Sequence, residues 1–204
     1  MKHLFLLWLI LLSQVAVAAP EYGIALGGSV GKAAAEDGAG FFDFYQVKEK
    51  TTYDPVAQAT LKWVVSEKLR FRTGLTYSIR TVEFDATFNL IVSVKSHFKS
   101  RVESLGIPLN LEYHTSRDYW LYGGMIVERV ISGKCSWKTE GNNTDTSFSC
   151  SDRKSTLFTL NIGAMWYFDQ QKKWFGDVSL QTILGDIYDD VGFTSAQALL
   201  GYAF

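Results

Sequence analysis

The chain has 204 residues, with 20 lysines and arginines against 21 aspartates and glutamates, so its formal net charge is −1. That balance gives no global attraction to nucleic acid, and no basic or acidic tail is present. Three prolines and 15% aromatic residues argue against linkers and disorder and fit a single domain.

In chain order, Lys2 and His3 precede an apolar run from Leu4 to Leu12, followed by Ser13, Gln14 and the small-x-small site Ala16-Val17-Ala18. A charged tip, a short apolar stretch and such a site predict a secretory leader over residues 1–18. The run is far below the ~20 residues a membrane helix needs. Cleavage after Ala19 would set Pro20 against the scissile bond, so the cut is placed after Ala18. Residues 19–204 form the predicted barrel domain.

From there the pattern is period-two alternation, which marks strands. It is clearest in residues 69–79, 105–114, 156–168 and 193–204, and fainter in 21–29, 56–65, 118–131 and 174–184. These eight segments are near the ~9–11 residues of a tilted membrane strand. Short turns at 66–68, 115–117 and 169–173 alternate with long segments at 30–54, 84–100, 132–154 and 185–192. The prediction is an all-β, antiparallel, up-and-down transmembrane barrel of eight strands. Short turns and both ends lie on the periplasmic side and long loops outside. The apolar phase of the third strand slips near Arg80–Val82, calling for a bulge or an extension beyond the membrane, and Pro108 interrupts the fourth, calling for a bulge or a strand end near it.

A secreted eight-stranded barrel could also be a soluble ligand carrier. The aromatics separate the two readings. Tyr22, Trp63, Phe71, Tyr113, Tyr119, Trp166 with Phe168, Trp174, and Tyr202 with Phe204 all fall on the apolar face, next to a short turn or a chain end. A ring at one level is a periplasmic aromatic girdle, since such side chains settle among lipid headgroups. The opposite face carries Lys62, Arg72, Asn110, Glu112, Glu128, Asp177, Gln181 and Gln197. That set predicts a narrow polar lumen filled by side chains, with opposite charges paired across it.

With strand count, loop asymmetry and the end Gly201-Tyr202-Ala203-Phe204 in view, the chain resembles the small eight-stranded outer-membrane barrels of the OmpA/OmpX/Ail type. The resemblance implies that Leu200, Tyr202 and Phe204 form the signal read by the barrel-assembly machinery. It also implies an outer-membrane location, contact with outer-membrane lipid and lipopolysaccharide, and a monomer.

Cys135 and Cys150 sit in a chain bound for an oxidising compartment, so a disulfide is expected. Some small barrels are enzymes, and one lipid A deacylase family uses a His-x-Ser pair. His114-Thr115-Ser116 has that spacing, but it runs into a turn at the wrong end of the barrel, so it is given no catalytic role. His97 has no evident acid or nucleophile beside it in sequence, and no phosphate loop, zinc spacing or calcium loop appears. No catalytic residue, metal site or cofactor is therefore predicted. Gly40-Phe41-Phe42-Asp43-Phe44-Tyr45 and the basic stretch Lys95, His97, Lys99, Arg101 are the loop features that could make surface contacts. The expected function is a non-enzymatic surface barrel whose loops touch envelope or host ligands. A narrow pore and a lipid A-modifying enzyme are the alternatives. No nucleic-acid partner is expected.

Overall fold

A computed structural model describes residues 19–35, 45–89, 93–116, 118–139, 146–149, 155–185, 187 and 191–204. The leader expected over 1–18, the Gly40–Phe44 stretch and Cys150 lie outside these residues. The strands are β1 (Glu21–Ala35), β2 (Tyr45–Glu49), β3 (Thr51–Ser66), β4 (Leu69–Asn89) and β5 (Ser93–Ser116). They continue with β6 (Tyr119–Thr139), β7 (Thr146–Ser149), β8 (Thr156–Tyr167), β9 (Trp174–Ile183) and β10 (Val191–Ala203). All pairings are antiparallel, in the order β2-β4-β3-β1-β10-β9-β8-β6-β5, and a β4–β5 ladder joins the far ends. Eight strands thus close into a ring, leaving no open edge in that part of the wall. β2 continues the course of β3 along β4, and β7 flanks the outer part of β6.

Polarity is inverted relative to a soluble protein. Leu26, Ile162 and Leu180 are 67%, 61% and 57% exposed, whereas Arg72, Glu112, Glu128 and Asp177 are almost fully buried. Each strand alternates between these faces because successive side chains point to opposite sides. An apolar exterior around a polar interior is a wall built to stand in lipid, so the soluble carrier is excluded.

The strands run further than the alternation suggested. Most of 30–54, 84–100 and 132–139, expected as loop, is strand. β4, β5 and β6 have 21, 24 and 21 residues, while β8 and β9 have 12 and 10. The cause is a change of solvent. Beyond the apolar band the outward positions turn charged, so the apolar signal stops while the hydrogen-bonded ladder continues. One side of the barrel therefore rises as a tall wall above the other.

Two prolines sit inside strands without breaking them. Pro55 lies opposite Gly28, where β3 has no ladder to β4 between Lys50 and Val56. Beside it the Asp54 carboxylate accepts the Thr81 N–H at 2.7 Å and its hydroxyl at 2.6 Å, replacing the missing strand partner. Pro108 falls where the β4–β5 ladder pauses between Arg72–Asn110 and Thr76–Gly106. The register is the same on both sides, so neither the bulge nor the strand end expected there occurs. Gly74, at φ 144°, occupies the unpaired stretch opposite.

Candidate functional site

The lumen is layered. At the short-turn end the Arg70 guanidinium lies 3.9 Å from the Trp120 ring centre and pairs with Glu21 at 3.2 Å, while His114 stacks on the same ring at 4.5 Å. Above it, an apolar cluster includes Trp120, Met165, Tyr167, Phe175 and Leu199. Lys62 ends in this layer. Its Nζ is 3.1 Å from the Met165 sulfur, 3.3 Å from the Tyr167 hydroxyl and 4.7 Å from the Phe175 ring centre. No carboxylate pairs with it among the described residues, so the ammonium rests on aromatic faces.

The next layer is ionic. Arg72 reaches Asp177 at 2.5 Å and Glu112 at 3.1 Å, and the Tyr122 hydroxyl donates to the other oxygen of Asp177. The Arg72 Nε–Glu112 contact has ion-pair distance without hydrogen-bond geometry, and neither Glu112 oxygen has a hydrogen-bond donor among the described residues. The Asn110 side chain, fully buried next to this pair, is likewise without a hydrogen-bond partner among the described residues. Gln181 and Gln197 bond each other at 2.5 Å.

A second ionic group follows. Arg80 grips Glu128 with both terminal nitrogens, at 2.5 and 2.6 Å, and Ser104 and Thr159 donate to the same carboxylate at 2.7 and 2.6 Å. A second apolar cluster, including Val82, Val102, Leu157, Ile183, Ile187 and Phe193, closes the outer end. Charge is thus sealed between two apolar plugs.

Each residue expected in the lumen is buried there, and Arg72, Glu112 and Asp177 are brought into one group. Glu128 stands apart from them, with Arg80. Arg80, Tyr122 and Asp54 were not anticipated. Tyr122 could have been found from its inward phase on β6, between the outward Leu121 and Gly123. All the girdle aromatics lie on the outward face. Trp63 stacks on Phe71 at 6.0 Å, Trp166 meets Phe168 edge-on at 5.8 Å, and Trp174 meets Tyr202 at 5.1 Å. Tyr22, Tyr113 and Tyr119 are about half exposed. Cys135 is buried on β6, opposite Ser100 on one side and Phe148 on the other.

The tall wall carries a different chemistry. Its outward positions hold Glu83 and Asp85 on β4, Lys95, His97, Lys99 and Arg101 on β5, and Lys134 and Lys138 on β6. Lys50 lies 3.0 Å from Asp85, His97 Nδ1 2.7 Å from Asp85, and Lys99 3.5 Å from Glu83. The bond from His97 and that from Lys50 hold the Asp85 carboxyl below the usual carboxylate range, and Asp85 in turn raises the Lys50 ammonium. A cleft of about 600 Å³ opens among Lys48, Asp85, Lys95, His97 and Lys138. No group of three or more possible metal ligands occurs among the described residues.

A closed antiparallel ring with a lipid-facing apolar band, aromatics at one rim and buried ion pairs inside defines a transmembrane β-barrel. The model of the outer membrane protein beta-barrel domain matches residues 18–189, and the chain belongs to that family. It is an outer-membrane protein, with the short-turn end in the periplasm and the tall wall outside. Among solved structures it is similar to Ail of Yersinia pestis in complex with the heparin analogue sucrose octasulfate, at 16% identity over 92% of this chain and 100% of that one, TM-score 0.49. OprG of Pseudomonas aeruginosa is 10% identical over 92% and 98%, TM-score 0.49. The outer membrane protease OmpT of Escherichia coli is 10% identical over 93% and 100%, TM-score 0.43. No curated protein matches the chain.

Proposed function

We propose that this protein is a non-enzymatic surface barrel, monomeric in the membrane, that works through its outer wall and loops while its lumen stays closed. The observation that carries this is the double seal of the interior. Arg72 with Asp177 and Glu112, and Arg80 with Glu128, occupy the axis between the Trp120–Phe175 and Val82–Phe193 clusters. Moving a solute through would require breaking buried pairs, which costs about 3–5 kcal/mol each. The His-x-Ser triplet lies at the short-turn end, where the His114 ring stacks on Trp120, away from the outer wall to which recognition is assigned. Recognition then falls to the parts free to vary above the membrane. The test is conductance of the purified protein in planar bilayers. The expected result is no steady current, and a large, stable conductance would overturn the proposal. Unchanged lipid A on overexpression is the matching result for the absence of enzymatic activity.

A further inference from the structure

We infer that the periplasmic half of the lumen binds a small cluster of water molecules against β4, β5 and β6, between Trp120 and Pro108, shared by Glu112, Asn110 and Asn161. This rests on the closed-lumen reading only in where the cluster ends. The polar atoms supply the first argument. Glu112 and Asn110 are fully buried, and Asn161 and Trp120 are each 3% exposed. Both Glu112 oxygens and the side-chain oxygens of Asn110 and Asn161 accept no hydrogen bond among the described residues. The Asn110 amide, the Trp120 indole N–H and the Nε–H groups of Arg70 and Arg72 donate none among them. Buried polar groups left unpaired are costly, and native interiors hold few.

The register gathers these groups. On the inward face of β5, Glu112 stands between Arg70 of β4 and Tyr122 of β6, and Asn110 stands between Arg72 and Gly124. Asn161 of β8 stands on the other side of Gly124. Gly124 has no side chain to part them, and the Asn110 oxygen leans over it, 2.5 Å from where a Cβ would lie. Two acceptors thus flank one glycine, and no donor among the described residues serves them. The wall is incomplete at the same level. The β4–β5 ladder pauses between Arg72–Asn110 and Thr76–Gly106, and the unchanged register sets Gly74 opposite Pro108. Pro108 has no N–H to give, so the Gly74 backbone lacks its usual cross-strand donor.

Charge and chemistry identify the ligand. In this half of the lumen Lys62, Arg70 and Arg72 balance Glu21, Glu112 and Asp177, so no counter-ion is called for. The unpartnered atoms are donors and acceptors side by side. A cation would serve only the acceptors, next to Arg72, and an anion only the donors, next to Glu112. Water serves both. At about three hydrogen bonds per molecule, the atoms named call for about three waters. Entry is from the periplasm, past Arg70 and Glu21, whose side chains are 14% and 38% exposed. Towards the outside, the Arg80–Glu128 pair and the cluster of Val82 and Phe193 end the wet region. Glu112 is thereby held beside Arg72 through bridging water as well as through charge.

The experiment is solution NMR of the isotope-labelled full chain in detergent micelles, with magnetisation passed from water to protein in the rotating frame. The sign of each cross-peak separates direct contact from proton exchange. The expected result is direct water contact at the Trp120 indole N–H and at the Asn110 and Asn161 side-chain amides. The methyls of Ala25 and Leu199, in the apolar cluster across the lumen, should show none. Asn110→Leu should abolish the contact at Asn161 and leave that at Trp120. Absence of contact at any of the three groups in the parent overturns the inference, as does an Asn161 contact unchanged in the variant. Equal contact at Ala25 and Leu199 would mean a generally wet lumen and also overturns it. So does a metal or halide ion retained in native mass spectra without water contact, which assigns the site to an ion. Should the variant fail to fold, the contacts in the parent decide. A steady conductance alongside the expected contacts would sink the closed-lumen proposal and leave this site standing.

Discussion

Arg80 and Glu128 meet across the lumen in a two-pronged ion pair, Nη1 to Oε2 at 2.5 Å and Nη2 to Oε1 at 2.6 Å, with both side chains almost fully buried. Such a pair adds little net stability over an apolar filling, but removing one partner strands a charge. Glu128→Gln should lower unfolding stability by about 3–5 kcal/mol. Arg80→Met with Glu128→Leu should lose less than Glu128→Gln alone. Urea unfolding in detergent micelles measures both, and a Gln variant as stable as the parent would contradict the role given to the pair.

Glu128 was legible as inward from its phase, yet Arg80 was not, and the reason is local. Ile79, Arg80, Thr81 and Val82 are all buried, so the alternation that elsewhere separates the faces disappears. It disappears where β3 leaves β4 and Asp54 holds Thr81 in its place. Ring closure, girdle and lumen face were readable because lipid on one side and a crowded interior on the other impose a strict two-residue period. The tall wall was not, because its outward positions carry charge while inward positions such as Ala86, Ser96 and Ser100 are small or polar, so no apolar stripe marks the strands. The partners inside the lumen depend on register, and a one-residue slip would exchange every face.

Gly74 marks the second irregular point of the wall. It adopts φ 144°, and a Cβ there would lie 2.0 Å from the Ala59 carbonyl oxygen. Gly74→Ala should therefore fail to reach the heat-resistant folded form in refolding assays followed by gel mobility. Gly123→Ala is the control, since its nearest contact would be 3.8 Å, and it should refold normally. Normal refolding of the Gly74 variant would show that the β3–β4 wall can give at this point.

The outer cluster predicts a dependence on pH. Asp85 is held below its usual carboxylate range chiefly by the His97 hydrogen bond, then by Lys50. A depressed carboxyl stabilises the fold above its unfolded pKa and loses that contribution as pH falls through the folded one. Lys50 is raised, chiefly by its bond to Asp85, so its share is present below the unfolded lysine pKa and lost as pH rises through the raised value. Both groups are well exposed, so the effect is local and modest. Amide protection in the 45–50, 83–89 and 93–99 segments, after division by the intrinsic exchange rate at each pH, should fall at acid pH in the parent and be flatter across pH in Asp85→Asn. Identical acid profiles would remove the cluster from the account.

Cys135 lies on β6 in the tall wall, and the pairing expected for it closes a short loop to Cys150. Within the chain-entropy model a loop of that size is worth about 3 kcal/mol. Cys135→Ser with Cys150→Ser should lower the unfolding midpoint by a corresponding amount, and the parent should fall to the same value after reduction. Free thiols titrated in unreduced, freshly extracted protein would count against the bond.

The last strand separates stability from assembly. The Phe204 N–H donates to the Tyr22 carbonyl at 2.9 Å, and its ring meets Tyr202, which in turn meets Trp174. Phe204 itself is 73% exposed towards lipid. Deleting it removes one backbone hydrogen bond and a ring contact, each a term of about 1 kcal/mol. Refolding in detergent should therefore give a barrel only slightly less stable than the parent. In the cell the outcome should be much larger, because Leu200, Tyr202 and Phe204 match the pattern read by the assembly machinery in the barrels this chain resembles. The expected observation is near-normal refolding in vitro with a several-fold loss of protein from the outer membrane. Normal membrane levels of the truncated protein would show that these residues serve only the fold. Equal losses in both settings would show that the deletion acts through stability alone.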